Sequence, residues 1–296
     1  MIHVKKIMVP VDFSESSKKA VNYGLSLASE FQARLVLMHV APFDAALYDR
    51  AKLQLLQLIP VEYRAQLDFE IIVKAGDVRA ELLAAIEENE IDLVVMGSRG
   101  RSYFERLLLG SVTERMLRKV HVPVLTVSHL DPEKEIHAPG AVPLRRIVYA
   151  TDLADGSEVG LQFSIRLARG LDAHLTVVHV VQAGDMVLHG METAFLPDYA
   201  AEARAQATER LNKMVTRVSD GSVPISTILT DGVPYENINR VAEETNADLI
   251  VINLQGKGRL ERALLGTTAE RVIRTASVPV LSLPLPATYA ARWAAA

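Results

Sequence analysis

"DLVVMGSRGRSYFERLLLGSVTERMLRKVHVPVLTV", Asp92–Val127, returns later in the chain as "DLIVINLQGKGRLERALLGTTAERVIRTASVPVLSL", Asp248–Leu283. In each copy a short run of branched apolar residues leads into a glycine-bearing loop. An amphipathic segment follows, and then a second apolar run introduced by Val-Pro-Val-Leu. Strand, loop, helix and strand in that order make a βαβ unit, the building block of a parallel sheet. The repetition extends outward. "VKKIMVPVDFSESSKKAVNYGLSLA" from Val4 parallels "LRRIVYATDLADGSEVGLQFSIRLA" from Leu144, and "RLVLMHV" from Arg34 parallels "HLTVVHV" from His174, both at an offset of 140. The opening pair is offset by 156, so the second half carries a net insertion of 16 residues between Val180 and Gly232. Two copies in the same order with unequal spacing indicate a duplicated domain and not a short-period solenoid.

The join is "SHLDPEKEIHAPGAVPL", Ser128–Leu144, whose three prolines and charges mark a linker. We therefore divide the chain into a first domain (1–129), a linker (130–143), a second domain (144–286) and a tail (287–296). In the first half "KIMVPV", "LVLMHV", "FEIIV", "DLVVM" and "VPVLTV" read as strands buried on both faces, as in a parallel sheet. Ser14–Glu30, Val78–Asn89 and Ser111–Val120 read as helices between them. The expected fold class is α/β: two doubly wound, Rossmann-like, five-stranded parallel sheets flanked by helices. From Asp198 to about Val218 the inserted region reads as a long amphipathic helix. It is expected to pack on its own sheet, the alternative being a lid or partner surface that includes Met186, Met191, Phe195 and Leu196.

Composition bounds the function. The 296 residues are 49% hydrophobic and 23% charged, with a net charge of −4, which speaks against broad electrostatic binding of nucleic acid. With no cysteine there are no disulfides, no thiol catalysis and no thiolate metal site. The first residues, "MIHVKKIMVPVDFS", do not read as a signal peptide, and no apolar run approaches the roughly 18 residues of a membrane span. A cytoplasmic location with no membrane contact is the expectation.

In a doubly wound sheet, ligands bind beyond the carboxyl ends of the strands, where the winding reverses. The first strand runs into Pro10 and Asp12, the second ends near His39 and Val40, and the fourth runs into Met96 and Gly97. If strands one and four are the switch-point neighbours, Asp12 and the glycine loop share one crevice. Gly97 and Gly100 would permit positive φ and a close approach of backbone to phosphate. Gly110 and Ser111 stand at a helix start, where free amides and the helix dipole favour an anion, and Arg99 and Arg101 could add charge. Asp12 suits an adenine amino group or a ribose hydroxyl. The plainer readings stay beside these: turn glycines, Ser111 as an ordinary N-cap, Asp12 as a cap of the first helix, and arginines on a solvated surface.

Gly97-x-x-Gly100, nine residues, then Gly110-Ser111 matches the nucleotide motif of ATP-binding universal stress proteins. "IMVPVDFS", "LMHV", "DLVVMGSRG" and "VPVLTV" resemble that family too, in the same order and in both halves. The chain resembles a tandem universal stress protein. The resemblance implies strand order 3-2-1-4-5 and an adenine nucleotide in the crevice (ATP, with ADP or AMP as alternatives and Mg2+ as candidate accompanying ion). It also implies that "VPVLTV" and "VPVLSL" pair within the chain as an intrachain pseudo-dimer. A homo-oligomer, a dimer of tandem chains, is a further expectation. Carried over by position, Pro10, Asp12 and Val40 line the adenine and ribose pocket. Met96 closes its floor, and Gly97, Gly100, Gly110, Ser111 and Val112 hold the phosphates, with Arg99 in the same loop.

The second half keeps Asp152, Val180, Gly256, Gly266 and Thr267, but Asn253 stands at the position of Gly97, and Tyr149-Ala150 replaces Val9-Pro10. Asn tolerates positive φ, so the turn is expected to survive, while its side chain would crowd an approaching phosphate. The first half is therefore expected to bind nucleotide well and the second weakly or not at all. No Gly-x-x-x-x-Gly-Lys-Ser/Thr, no Gly-x-Ser-x-Gly and no histidine pair with metal-ligand spacing occurs. His39 and His179 are read as hydrogen-bonded structural groups at equivalent strand ends. Asp92 and Asp248 are read as groups that cap or orient strand four. The leading expectation is a nucleotide-dependent regulator or sensor in stress response. The alternative is a slow ATPase or nucleotide hydrolase using Asp12 and a divalent ion in the same crevice.

Overall fold

A computed structural model describes residues 4–41, 45–98, 109–128, 144–154, 156–182, 196–254 and 266–284. The first half runs β1 (Lys6–Pro10), α1 (Glu15–Phe31), β2 (Arg34–Ala41), α2 (Ala45–Gln57), α3 (Val61–Arg64), β3 (Phe69–Ala75), α4 (Val78–Glu88), β4 (Leu93–Gly97), α5 (Ser111–Lys119) and β5 (Val124–Val127). The second runs β6 (Arg146–Thr151), α6 (Ser157–Gly170), β7 (His174–Val181), α7 (Leu196–Val218), β8 (Ile225–Asp231), α8 (Pro234–Glu244), β9 (Leu249–Asn253), α9 (Thr267–Thr275) and β10 (Val280–Leu283).

All ten strands form one sheet, in the order β3-β2-β1-β4-β5-β10-β9-β6-β7-β8. Each half keeps the order 3-2-1-4-5, and every pairing inside a half is parallel. Among the described residues, the single antiparallel pairing joins the halves, with Val280 opposite Thr126, Leu281 opposite Leu125 and Ser282 opposite Val124. The strands alternate as the two-residue period requires. Ile7, Val9, Leu35, Leu37, Leu93 and Val95 face one core, with α1, α2, α6 and α7. Met8, Val36, Met38, Val94 and Met96 face the other, with α4, α5, α8 and α9. Two-sided burial explains why the strands are continuously apolar in sequence.

Local chemistry sets the helix starts. Ser14 caps α1 by accepting from Ser17 N, and Asp77 caps α4 by accepting from Arg79 N and Ala80 N. Pro234 opens α8, where its missing N–H costs nothing. Asp92 Oδ2 accepts from Lys5 N (2.8 Å) and Lys6 N (3.0 Å), and Asp248 Oδ2 from Arg145 N (3.1 Å) and Arg146 N (3.0 Å). The aspartate ahead of strand four thus anchors the start of strand one in both halves, tying together the two strands that flank the switch point.

Helix α2 falls in a stretch to which the sequence reading assigned no element. The inserted region contains α7, at 23 residues against 13 for α2. It packs Leu211 and Met214 into the core beside α6, β7 and β8, as a sheet-packing helix should. Met186, Met191 and Phe195 lie outside the described residues. Among the described residues, no helix is long and apolar enough to cross a membrane.

Candidate functional site

The switch points lie between β1 and β4 in the first half and between β6 and β9 in the second. After β1 the chain turns sharply through Phe13, which has φ of 63°, and the repeat does the same at Leu153, φ 57°. A left-handed non-glycine residue at the same place in both halves marks a turn held by its surroundings. One such hold is a histidine. His39 Nδ1 donates to the Val11 carbonyl at 2.7 Å and His179 Nδ1 to the Thr151 carbonyl at 2.8 Å, which puts the Nδ1 proton on both rings. The His39 ring also lies 4.7 Å from the Phe13 ring.

This turn presents Asp12. Its Oδ1 accepts from Ser14 N (3.0 Å) and Ser14 Oγ (2.5 Å), so it braces the residue that caps α1 and leaves the capping itself to Ser14. In the repeat, Asp152 Oδ1 accepts from Ala154 N and Ser157 Oγ, both at 3.0 Å. Asp152 Oδ2 is buried with no hydrogen-bond partner among the described residues.

The far wall of the first crevice is the end of β4 and the start of α5. Gly97 is the last residue of β4, not a left-handed turn residue as anticipated. Its missing side chain answers to a packing demand. A Cβ there would meet Ser16 Oγ at 2.3 Å and the Ser16 carbonyl carbon at 2.9 Å, because the first turn of α1 crosses it closely. Beyond it, Ser98 Oγ is buried without a partner among the described residues, and the Ser98 carbonyl accepts from Gly110 N at 3.0 Å. Gly110 is the N-cap of α5 and has extended geometry, which makes Ser111 the first helical residue and corrects its reading as the cap. Among the described residues, no side chain caps α5. A glycine at that position leaves the first amides of the helix turned outward, the arrangement that accepts anions. Thr113 Oγ1 donates to the Gly97 carbonyl at 2.9 Å and locks the helix start to the strand end.

The remaining candidates group around this point. Pro10 ends β1, Met96 is buried in the core beneath the crevice, and Val40 and Val112 pack half-buried against the same core. Arg99, Gly100 and Arg101, and Gly256 in the repeat, lie outside the described residues. Sequence reasoning passed over Ser16 and Thr113, and noted Ser98 only as a position that becomes Leu254 in the repeat. Ser16 left a signal in the exchange of sizes between halves described next, and Thr113 in its replacement by Ala269.

In the second half, Asn253 ends β9 and is also in the strand, without positive φ. Its side chain faces α6: Asn253 Nδ2 donates to Tyr149 Oη at 3.2 Å, and Tyr149 Oη donates to the Ser157 carbonyl at 2.8 Å. Because α6 and α9 lie on opposite faces, the carboxamide turns away from the start of α9, where it was expected to crowd an approaching phosphate. Room for it comes from glycines. A Cβ at Gly160 would meet Tyr149 Oη at 2.4 Å and Asn253 Oδ1 at 2.6 Å, and Gly156 occupies the position equivalent to Ser16. The small and large partners have changed places. Gly266 is the N-cap of α9, again with no side-chain cap, and Thr267 is the first helical residue. Ala269 replaces Thr113, so that lock to the strand end is missing, while Val180 is buried in the core.

The universal stress protein family matches the chain twice, over residues 3–128 and 143–284. A universal stress protein of Methanocaldococcus jannaschii is 35% identical over 143 residues, covering 48% of this chain and 83% of that protein. One of Mycobacterium tuberculosis is 26% identical over 296 residues, covering 93% of this chain and 95% of the other. The crystal structure of a universal stress protein from Archaeoglobus fulgidus superposes with a TM-score of 0.67 at 24% identity, covering 94% of this chain and 98% of that one, which shows the shared fold. The chain belongs to the universal stress protein family, with two copies of its domain in tandem.

Proposed function

We propose that the first half binds an adenine nucleotide, ATP in the first instance, at the β1–β4 switch point, and that occupancy makes the chain a nucleotide-dependent regulator in stress response. The observation that carries this reading is the start of α5. Gly110 is an N-cap without a side chain, and among the described residues no hydrogen bond takes up the amides of Ser111 and Val112, which suits an outside acceptor at the sheet end that also carries Asp12. In this reading Pro10, Asp12 and Val40 line the base and ribose, and Met96 forms the floor. Gly97, Gly110, Ser111 and Val112 meet the phosphates, joined by Arg99 and Gly100 of the glycine loop. The residues fit the group: amides and hydroxyls stand where phosphate is expected, and the carboxylate stands at the other end, where a phosphate would be repelled.

Gly110→Val tests it. A branched side chain at the N-cap would obstruct the helix start, and loss of two or three charge-assisted hydrogen bonds corresponds to at least a tenfold loss of affinity. The expected result is intact ATP released from the purified wild-type chain and identified by mass spectrometry, with little or none from Gly110→Val. Equal retention by both proteins would remove the basis for this placement.

A further inference from the structure

The two switch points are zipped to different depths. In the first half the β1–β4 ladder ends after two pairs, Ile7 with Leu93 and Met8 with Val94. In the second, the β6–β9 ladder continues for four, through Tyr149 with Val251 and Ala150 with Ile252. The backbone explains the difference. Along β1 the polar groups alternate sides: the Lys5 carbonyl accepts from Arg34 N on the β2 side, the Lys6 carbonyl from Asp92 N on the β4 side, and Val11 N donates back to the β2 side, to the Met38 carbonyl. Residue 10 therefore faces β4. That residue is proline, which has no N–H to donate, and the ladder stops short of it. The equivalent residue, Ala150, has one.

The second switch point is also clamped. Tyr149 Oη, on β6, donates to the Ser157 carbonyl in the first turn of α6 and accepts from Asn253 Nδ2 at the end of β9. One buried hydroxyl thus joins both strands and the helix. At the equivalent positions the first half has Val9 and Gly97, which can form no such bridge.

We propose that each chain takes up one adenine nucleotide, because Pro10 holds the first crevice open by withholding a ladder hydrogen bond, whereas Ala150 and the Tyr149–Asn253 clamp hold the second one closed. This rests on the proposed nucleotide binding and assigns the two halves separate tasks, one as the ligand-responsive half and the other as a fixed half of the shared sheet. Pro10 then acts as a positioning residue for the crevice as well as a wall of it.

Titration of the full-length chain with ATP by calorimetry, after co-purified nucleotide has been removed, is the test. One equivalent is expected, lost in Gly110→Val and kept in Gly266→Val. Two equivalents in the wild type would overturn this inference and leave nucleotide binding standing; none would remove nucleotide binding and the inference with it. Pro10→Ala is expected to weaken ATP binding about fivefold, the worth of one ladder hydrogen bond that must be broken on opening. Unchanged affinity would rule out that role for Pro10. The combined change Tyr149→Val, Ala150→Pro and Asn253→Gly gives the second half the first half's residues, and is expected to raise the count to two. A variant that melts cooperatively like the wild type yet still binds one would overturn the clamp. If it does not fold, the Pro10→Ala affinity and the Gly110→Val and Gly266→Val counts decide.

Discussion

At Gly97 a single methyl group would stand 2.3 Å from Ser16 Oγ and 2.9 Å from the Ser16 carbonyl carbon, inside any real contact distance. Gly97→Ala should therefore destabilise the first half by about 1–3 kcal/mol, the usual cost of overfilling a packed site. Adding Ser16→Gly should restore part of that loss, but not all, because the backbone of α1 remains close. Urea unfolding of both single variants and the pair checks it: strictly additive effects would mean that the two residues do not collide. The motif was legible in sequence while this reason for its first glycine was not. A glycine after an apolar run reads equally well as a phosphate-approach residue or as a packing gap, and the partner that distinguishes them lies far away in sequence. Comparing the halves carries the missing signal, since Ser16 with Gly97 becomes Gly156 with Asn253.

Among the elements, three helices between the recurring apolar runs were readable. Those for α1, α4 and α5 agree with the expected ranges to within one residue at either end. Helix α2 was not read: Ala51 and Leu55 share a buried face, but other apolar residues lie off it, Leu53 being 62% exposed. A pattern spread around the helix has no period to detect. The cap of α4 gives a pH-dependent prediction. The Ala80 backbone N–H is the foremost of the groups that hold the Asp77 carboxyl below the usual carboxylate range, with hydrogen bonds and charge from Arg79 adding to it. A group whose folded-state pKa is depressed contributes stability above its unfolded pKa and loses it as pH falls through the folded one. Asp77→Asn keeps an N-cap and removes the charge. The stability advantage of wild type over Asp77→Asn should be constant near neutrality and shrink between about pH 5 and pH 2. Urea midpoints across that range measure it, and a difference that stays flat would show that the carboxylate charge contributes nothing at this cap.

For the molecule as a whole, duplication and the alternation of strands and helices were legible in the apolar runs and in the two offsets. The strand order and the joining of the halves through their last strands came from family resemblance, because a run of valines does not say which neighbour it pairs with. The seam between β5 and β10 is where the halves become one sheet, and it is not symmetric. Thr126 and Ser282 are equivalent by position, and both are buried. Thr126 Oγ1 donates across the seam to the Val280 carbonyl at 3.1 Å, while Ser282 Oγ is buried with no partner among the described residues. A buried hydroxyl without a partner costs its desolvation and returns nothing. The two seam residues should therefore respond with opposite signs. Thr126→Ala loses a buried hydrogen bond and a methyl group, and should lower stability by about 1–2 kcal/mol. Ser282→Ala removes only the unpaired group and should raise stability by up to about 1 kcal/mol. Thermal and urea unfolding of the two variants side by side gives the answer. Loss of stability in both would mean that the Ser282 hydroxyl has a partner in solution and that the seam is more nearly symmetric than its side chains indicate.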